Sequence, residues 1–168
     1  MKKTYLMLPV LMVALAACSK SNDVAPDAGT RVAGDYPMTF IRLDSAGVLL
    51  DSLTLPYKVG GQTVVSGLIR ATRISEQVDS LTVTLSQAGS TDDVLPLGRV
   101  DVTANGTGYD FYVQTLKVGS SDGTTISIDT DPTQQSLYRY YFKGKNSGPA
   151  HTEKGAPGSN PGAPFSVA

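Results

Sequence analysis

The sequence predicts an all-β domain, and three observations carry that prediction. Between residues 33 and 143, short apolar-periodic runs alternate with turn clusters at the roughly 8–12-residue spacing of sandwiches and barrels. Residues 80–86 alternate strictly, with Leu81, Val83 and Leu85 on one side and Thr82, Thr84 and Ser86 on the other, as a strand with one buried and one wet face requires. Asn105-Gly106 is a strong hairpin signal, because both central positions of a type I′ turn need positive φ. No stretch between these runs shows a helical period. The composition agrees: Trp is absent, Tyr occurs 8 times, and Thr, Ser, Gly and Val are plentiful.

Short links between sequential strands favour antiparallel neighbours. An up-and-down meander of eight strands closes into a barrel and so removes its exposed edges. A two-sheet β-sandwich with Greek-key links is the alternative.

The chain begins with a different kind of segment. Lys2 and Lys3 precede an apolar run over residues 6–17, which falls short of the roughly 20 apolar residues of a spanning helix. A basic start, a short apolar core and the small Ala16 and Ala17 form an export pattern. Leu15-Ala16-Ala17-Cys18 reads as the cleavage and lipidation box of a bacterial lipoprotein, with residues 1–17 as signal peptide. Cys18 is the only cysteine, and lipidation explains a thiol that has nothing to pair with. Two or three acyl chains on Cys18 anchor a protein stably, where one does so marginally. Ser19, rather than an aspartate, follows the cysteine, which resembles the lipoproteins sorted to the outer membrane, on its periplasmic face or at the cell surface. Residues 18–32 read as a flexible spacer, polar and with Pro26 and Gly29.

Within 33–143, residues 36–43 place Tyr36, Met38 and Phe40 on one face, and Asp44-Ser45-Ala46-Gly47 turns the chain. Residues 48–55 follow and end at Pro56. Gly60-Gly61 is the next turn, leading into residues 62–74, with a bulge expected near Gly67. After the strand at 80–86 and a polar loop, residues 95–104 slip parity at Gly98, a second expected bulge. Residues 109–118 set Tyr109, Phe111 and Val113 on one face. Ile126 and Ile128 mark a short strand. The last strand, 137–143, sets Tyr138, Tyr140 and Phe142 against Arg139 and Tyr141. Residues 144–168 are rich in Gly and Pro and read as a disordered tail.

At Gly34-Asp35-Tyr36 the chain resembles the calycin (lipocalin-like) barrels, whose first strand opens on Gly-x-Trp. The resemblance implies an eight-stranded barrel, with Tyr36 in the Trp position and Arg139 or Lys143 packed over its ring as a cation–π cap. It also implies a role in binding a small hydrophobic ligand, while the short barrel region favours a filled interior and an interaction role.

The chemistry points the same way. His151, the single histidine, falls in the Gly/Pro-rich tail, so no Ser-His-Asp constellation is expected. No catalytic residue, metal site or cofactor is expected, and the domain is read as non-enzymatic. Once Lys2 and Lys3 are cleaved off, the 15 acidic side chains outnumber the basic ones, which gives no footprint for nucleic acid. Asp92-Asp93, Asp122, Asp129 and Asp131 read as turn formers rather than a calcium loop. Glu76 and Asp79 read as surface charges, and Arg70, Arg73 and Arg99 as a solvated sheet face. The ligand-binding candidates are Tyr36, Tyr109, Phe111, Tyr138, Tyr140 and Arg139. The expected partners are the membrane, through the lipid anchor, and a small hydrophobic ligand or an envelope protein. The alternative is a structural component of an envelope complex, with an enzyme using loop carboxylates third.

Overall fold

The computed structural model describes residues 25–133 and 135–146. The expected signal peptide, Cys18 and the part of the tail that carries His151 lie outside the described residues. A short helix, α1 (Ala28–Val32), precedes ten strands: β1 (Gly34–Ser45), β2 (Val48–Thr54), β3 (Tyr57–Val59), β4 (Gln62–Ser75), β5 (Val78–Gln87), β6 (Asp93–Asn105), β7 (Gly108–Val113), β8 (Leu116–Ser121), β9 (Thr125–Asp129) and β10 (Tyr138–Lys145).

All pairings are antiparallel, and β4 to β10 form an unbroken meander. β1 pairs with β10 along most of its length and with β4 over Gly34 to Pro37, which closes eight strands into a barrel. That closure decides for the barrel over the sandwich. The eight members differ from those expected. β2 and β3 stand outside the ring, and the run at 109–118 is two strands, β7 and β8, folded back at Gln114 (φ +58°). A Gln-Thr pair carries none of the usual turn chemistry, so the fold-back left no mark in the sequence.

The type I′ turn expected at Asn105-Gly106 is found elsewhere. The β1–β2 link has positive φ at both Ala46 (+48°) and Gly47 (+78°), the type I′ pattern. At β6–β7 the closing pair is Asn105 with Gly108, so Gly106 and Thr107 are central and Gly106 alone is left-handed (φ +62°), the pattern of type II′. Asn105 flanks the turn instead of entering it, and its Nδ2 donates to Asp110 Oδ2 at 2.9 Å.

The bulge expected at Gly98 is present. Leu81 pairs with Gly98 and Thr82 with Pro96, so Leu97 is the extra residue. Gly67 makes no bulge, since the β4–β5 register runs straight through it. Its lack of a side chain is steric: a Cβ there would strike the side chain of Met38. A bulge in β1 between Met38 and Phe40 reverses the parity of that strand. Tyr36 and Met38 face the core, but Phe40 turns outward and meets Tyr141 edge-on at 6.3 Å, while Ile41 takes the inward place.

The core fills the barrel with Tyr36, Met38, Ile69, Leu81, Val83, Val102, Phe111, Ile126 and Phe142, all buried. One end is closed by the last residues of the stretch expected to be a spacer. Asp27 caps α1 by accepting the Thr30 N–H at 2.8 Å, and Val32 is fully buried. Gly29 N–H donates to Glu76 O at 2.9 Å, and the Tyr36 hydroxyl donates to Val32 O at 2.6 Å. Five residues show too little of a helical period to register in sequence; tertiary packing holds them.

Candidate functional site

The end of the barrel away from α1 is open, and its chemistry is apolar. A cavity of about 220 Å³ lies there between the inward faces of β5 to β9, lined by Leu81, Leu97, Val100, Val113, Val118 and Ile128. Two bulges help to build it. Leu97 is the extra residue of β6, and Val118 is the extra residue of β8, between Phe111 paired with Gly119 and Tyr112 paired with Lys117. Each bulge gives its strand one additional side chain to place against the core. Below the cavity the barrel is packed, with Phe111 and Ile126 fully buried, so the space is a pocket in the mouth and not a channel.

Exposed apolar side chains stand on β6 (Val94, Leu95), on β8 (Leu116), at the start of β10 (Tyr138) and just before β10 (Leu137). Leu137 is 64% exposed and Tyr138 53%. Asp129 and Thr130 mark the polar edge of the pocket. Asp129 is engaged by Arg139, whose Nε donates to Asp129 Oδ1 at 2.8 Å and whose Nη2 contacts Oδ2. Apolar surface taken out of water is stabilised by roughly 25 cal/mol per Å².

The six candidates named from sequence separate into distinct places. Tyr36 and Phe111 belong to the packed core, with no exposed surface. Tyr140 is half-buried and stacks on Phe142 at 5.9 Å with rings nearly parallel, while Tyr138 stands exposed at the open end. Tyr109 packs against the core and borders a polar trough on the outer wall with Ser120, Ser127, Tyr141 and Lys143. Arg139 points outward beside a second ion pair, Arg42–Asp44, at 2.6 Å. No cap forms over Tyr36 from Arg139, which stands opposite Asp44 at the far end of β1 and is held by Asp129. Gly144 of β10 lies against Tyr36 instead: a Cβ on Gly144 would come within 3.0 Å of Tyr36 Cβ.

The loop acids are turn formers. Asp122 Oδ1 accepts the N–H groups of Thr124 (2.7 Å) and Thr125 (2.5 Å), and these bonds hold its carboxyl below the ordinary range. Asp131 accepts from the Thr133 hydroxyl at 2.8 Å and from Ser136 N–H. Among the described residues no group of three or more His, Cys, Asp or Glu is placed to hold a metal.

Asp79 is the residue that sequence reasoning misplaced. It is fully buried under α1 rather than on the surface, and neither carboxylate oxygen has a hydrogen-bond partner. Burial pushes its carboxyl up to about 6; the charge of Arg73 opposes this shift and that of Asp27 adds to it. The signal was available, since Asp79 shares the parity of Leu81 and Val83 and so must face inward with them. Arg73 does not reach Asp79 with a hydrogen bond, because its guanidinium is bidentate to Asp27 at 2.8 and 3.1 Å.

Fold and site together define a small closed antiparallel β-barrel with one end plugged and an apolar pocket in the other. Comparison of the chain with models of known families, with characterised proteins and with solved structures finds no match.

Proposed function

We propose that the protein is a lipid-anchored component of the bacterial envelope, held in the outer membrane by acyl chains on Cys18, whose calycin-like barrel binds a small apolar group and carries out no catalysis. The observation that carries this reading is the apolar pocket at the open end. Its volume lies below the roughly 300–1,000 Å³ of pockets for drug-sized ligands. The occupant is therefore a short alkyl chain or one apolar side chain, not a whole lipid. Gly34-Asp35-Tyr36 at the start of the first strand and eight strands in meander order support the calycin likeness.

The placement of the termini fits a tether. The described chain enters through α1 at the plugged end, and Asn146 leaves there too, its N–H donating to Thr124 O at 2.7 Å. A domain held from that end presents its open mouth away from the membrane.

Two measurements test the reading. Octanoate titrated into the isotopically labelled domain should shift the amides of Leu97, Val113 and Val118, and Val118→Trp, which fills the pocket, should abolish the shifts. Unmoved pocket amides would remove the ligand reading. Separately, Cys18→Ser should release the protein from membranes, and unchanged membrane retention would count against lipidation.

A further inference from the structure

The plug at the closed end is held by few contacts. α1 has five residues, with Val32 fully buried, the Gly29 N–H on Glu76 O at 2.9 Å, and Val32 O accepting the Tyr36 hydroxyl at 2.6 Å. Its cap, Asp27, is fastened to β4 by the bidentate guanidinium of Arg73. A helix this short has no stability of its own and stays only while its seat holds.

Asp79 lies directly beneath that seat. A Cβ on Gly29 would stand 2.9 Å from Asp79 Oδ1 and 2.5 Å from Ser75 O, so the carboxyl and a main-chain carbonyl converge on the underside of α1. Asp79 has no exposed surface, and neither oxygen has a hydrogen-bond partner. A protonated acid brings a donor of its own among these acceptors, whereas an ionised one is a buried charge without a hydrogen bond. The cation beside it is Arg73, whose Cγ would lie 3.4 Å from the same Cβ, but its guanidinium is engaged by Asp27. One guanidinium fork holds one carboxylate bidentately, so an ionised Asp79 competes for the contact that fastens the helix. The remaining groups around the seat offer no substitute. Arg31 of α1 donates its Nε to Pro26 O at 3.1 Å, and Glu76 and Asp122, in the β4–β5 and β8–β9 turns, carry the same charge as Asp79. β6 sets the apolar Val100 opposite Asp79, and β1 presents Tyr36, a phenol whose pKa burial raises.

We infer that α1 is a proton-held plug: protonated Asp79 keeps it seated, and loss of that proton loosens it, withdrawing Val32 from the core and freeing the Tyr36 hydroxyl. The closed end of the barrel is then tight in acid and opens more often near neutrality. Burial holds the carboxyl at about 6 in the seated form, against an ordinary 3.8 once α1 has left and water reaches it. The seat is therefore whole below pH 3.8, weakens as pH rises to 6, and weakens no further above that. This device sits at the end opposite the mouth pocket, and it works whatever the pocket takes and however the chain is tethered.

The test follows the burial of Val32. In the full chain carrying Cys18→Ser, the thiol of V32C is reached by a dipyridyl disulfide, which labels thiols in acid as well as at neutral pH, when α1 leaves its seat. T30C, exposed on the same helix, gives the unhindered rate. The V32C rate relative to T30C should rise roughly 60-fold from pH 4 to pH 7.5, the ratio set by carboxyl values of 3.8 and about 6, and level off above pH 6. Asp79→Asn should flatten that rise to within about twofold. V83C, in the barrel core, should label at least about tenfold more slowly than V32C at pH 7.5, because α1 leaves while the barrel stays folded. Amide exchange at Gly29, corrected for its intrinsic rate, should show the same loss of protection in the chain without added cysteines. A flat V32C profile, a rise that survives Asp79→Asn, V83C labelled as fast as V32C, or Gly29 protection that does not fall with pH would overturn the inference.

Discussion

Asp79 offers the sharpest test of the packing. Its carboxyl is buried beneath α1 with no hydrogen-bond partner, and its pKa stands at about 6 against an ordinary 3.8. Below pH 3.8 the group is protonated both folded and unfolded, and it contributes nothing to pH dependence. Between 3.8 and 6 the unfolded chain ionises while the folded one keeps its proton, so stability falls as pH rises. Above 6 both states are charged and the loss levels off at about 3 kcal/mol, the two-unit gap converted at 1.36 kcal/mol per unit. Asp79→Asn is neutral at every pH and resembles the protonated acid in shape. The variant should match the wild type near pH 4 and exceed it by about 3 kcal/mol at pH 8, on the order of 10 °C in Tm for a domain this size. The assay is urea or thermal unfolding of both proteins from pH 4 to 8, read as the difference curve. Asp27, Asp44, Asp110, Asp122 and Asp131 are all held below the ordinary carboxylate range by their partners, and they lose that stabilisation as pH falls. They do so in both proteins, so their effect cancels in the difference. A flat difference across this range, or a wild type more stable than the variant at pH 8, would refute the reasoning.

Other substitutions probe separate contacts. Gly144→Ala brings a Cβ to 2.9 Å from Tyr36 O and should cost about 1–3 kcal/mol by overpacking, measured by urea unfolding. Tyr36→Phe removes the donor to the buried Val32 carbonyl and should cost about 1–3 kcal/mol, with faster amide exchange in α1 as the specific readout. Phe111→Ala should cost about 3–5 kcal/mol, as for any fully buried ring, and would identify Phe111 as core rather than ligand contact. Ala46→Asn should stabilise by about 1 kcal/mol, since position 46 is exposed and left-handed and Asn tolerates that conformation better.

The sequence by itself determined the class and most of the strands. Period-2 runs such as Leu81-Thr82-Val83 specify which face is buried whatever the partner strand is, and glycine at positions 47, 60, 61, 98 and 106 marks left-handed backbone that other residues resist. Parity also held the place of Asp79, although charge argued against burial there. What only the tertiary structure decided depends on contacts between distant residues. That β1 turns from β4 to β2 part-way along, leaving β2 and β3 outside the ring, follows from which strands meet, and no local pattern records it. The bulges at Thr39 and Val118 shift side chains from one face to the other without a left-handed glycine to announce them, so Phe40 left the core and Val118 came to line the pocket. The tyrosines and Arg139 scattered for the same reason. Alternation tells which residues share a face of one strand, but the closed curvature of the barrel, the plug at one end and the bulges decide which of those faces meet.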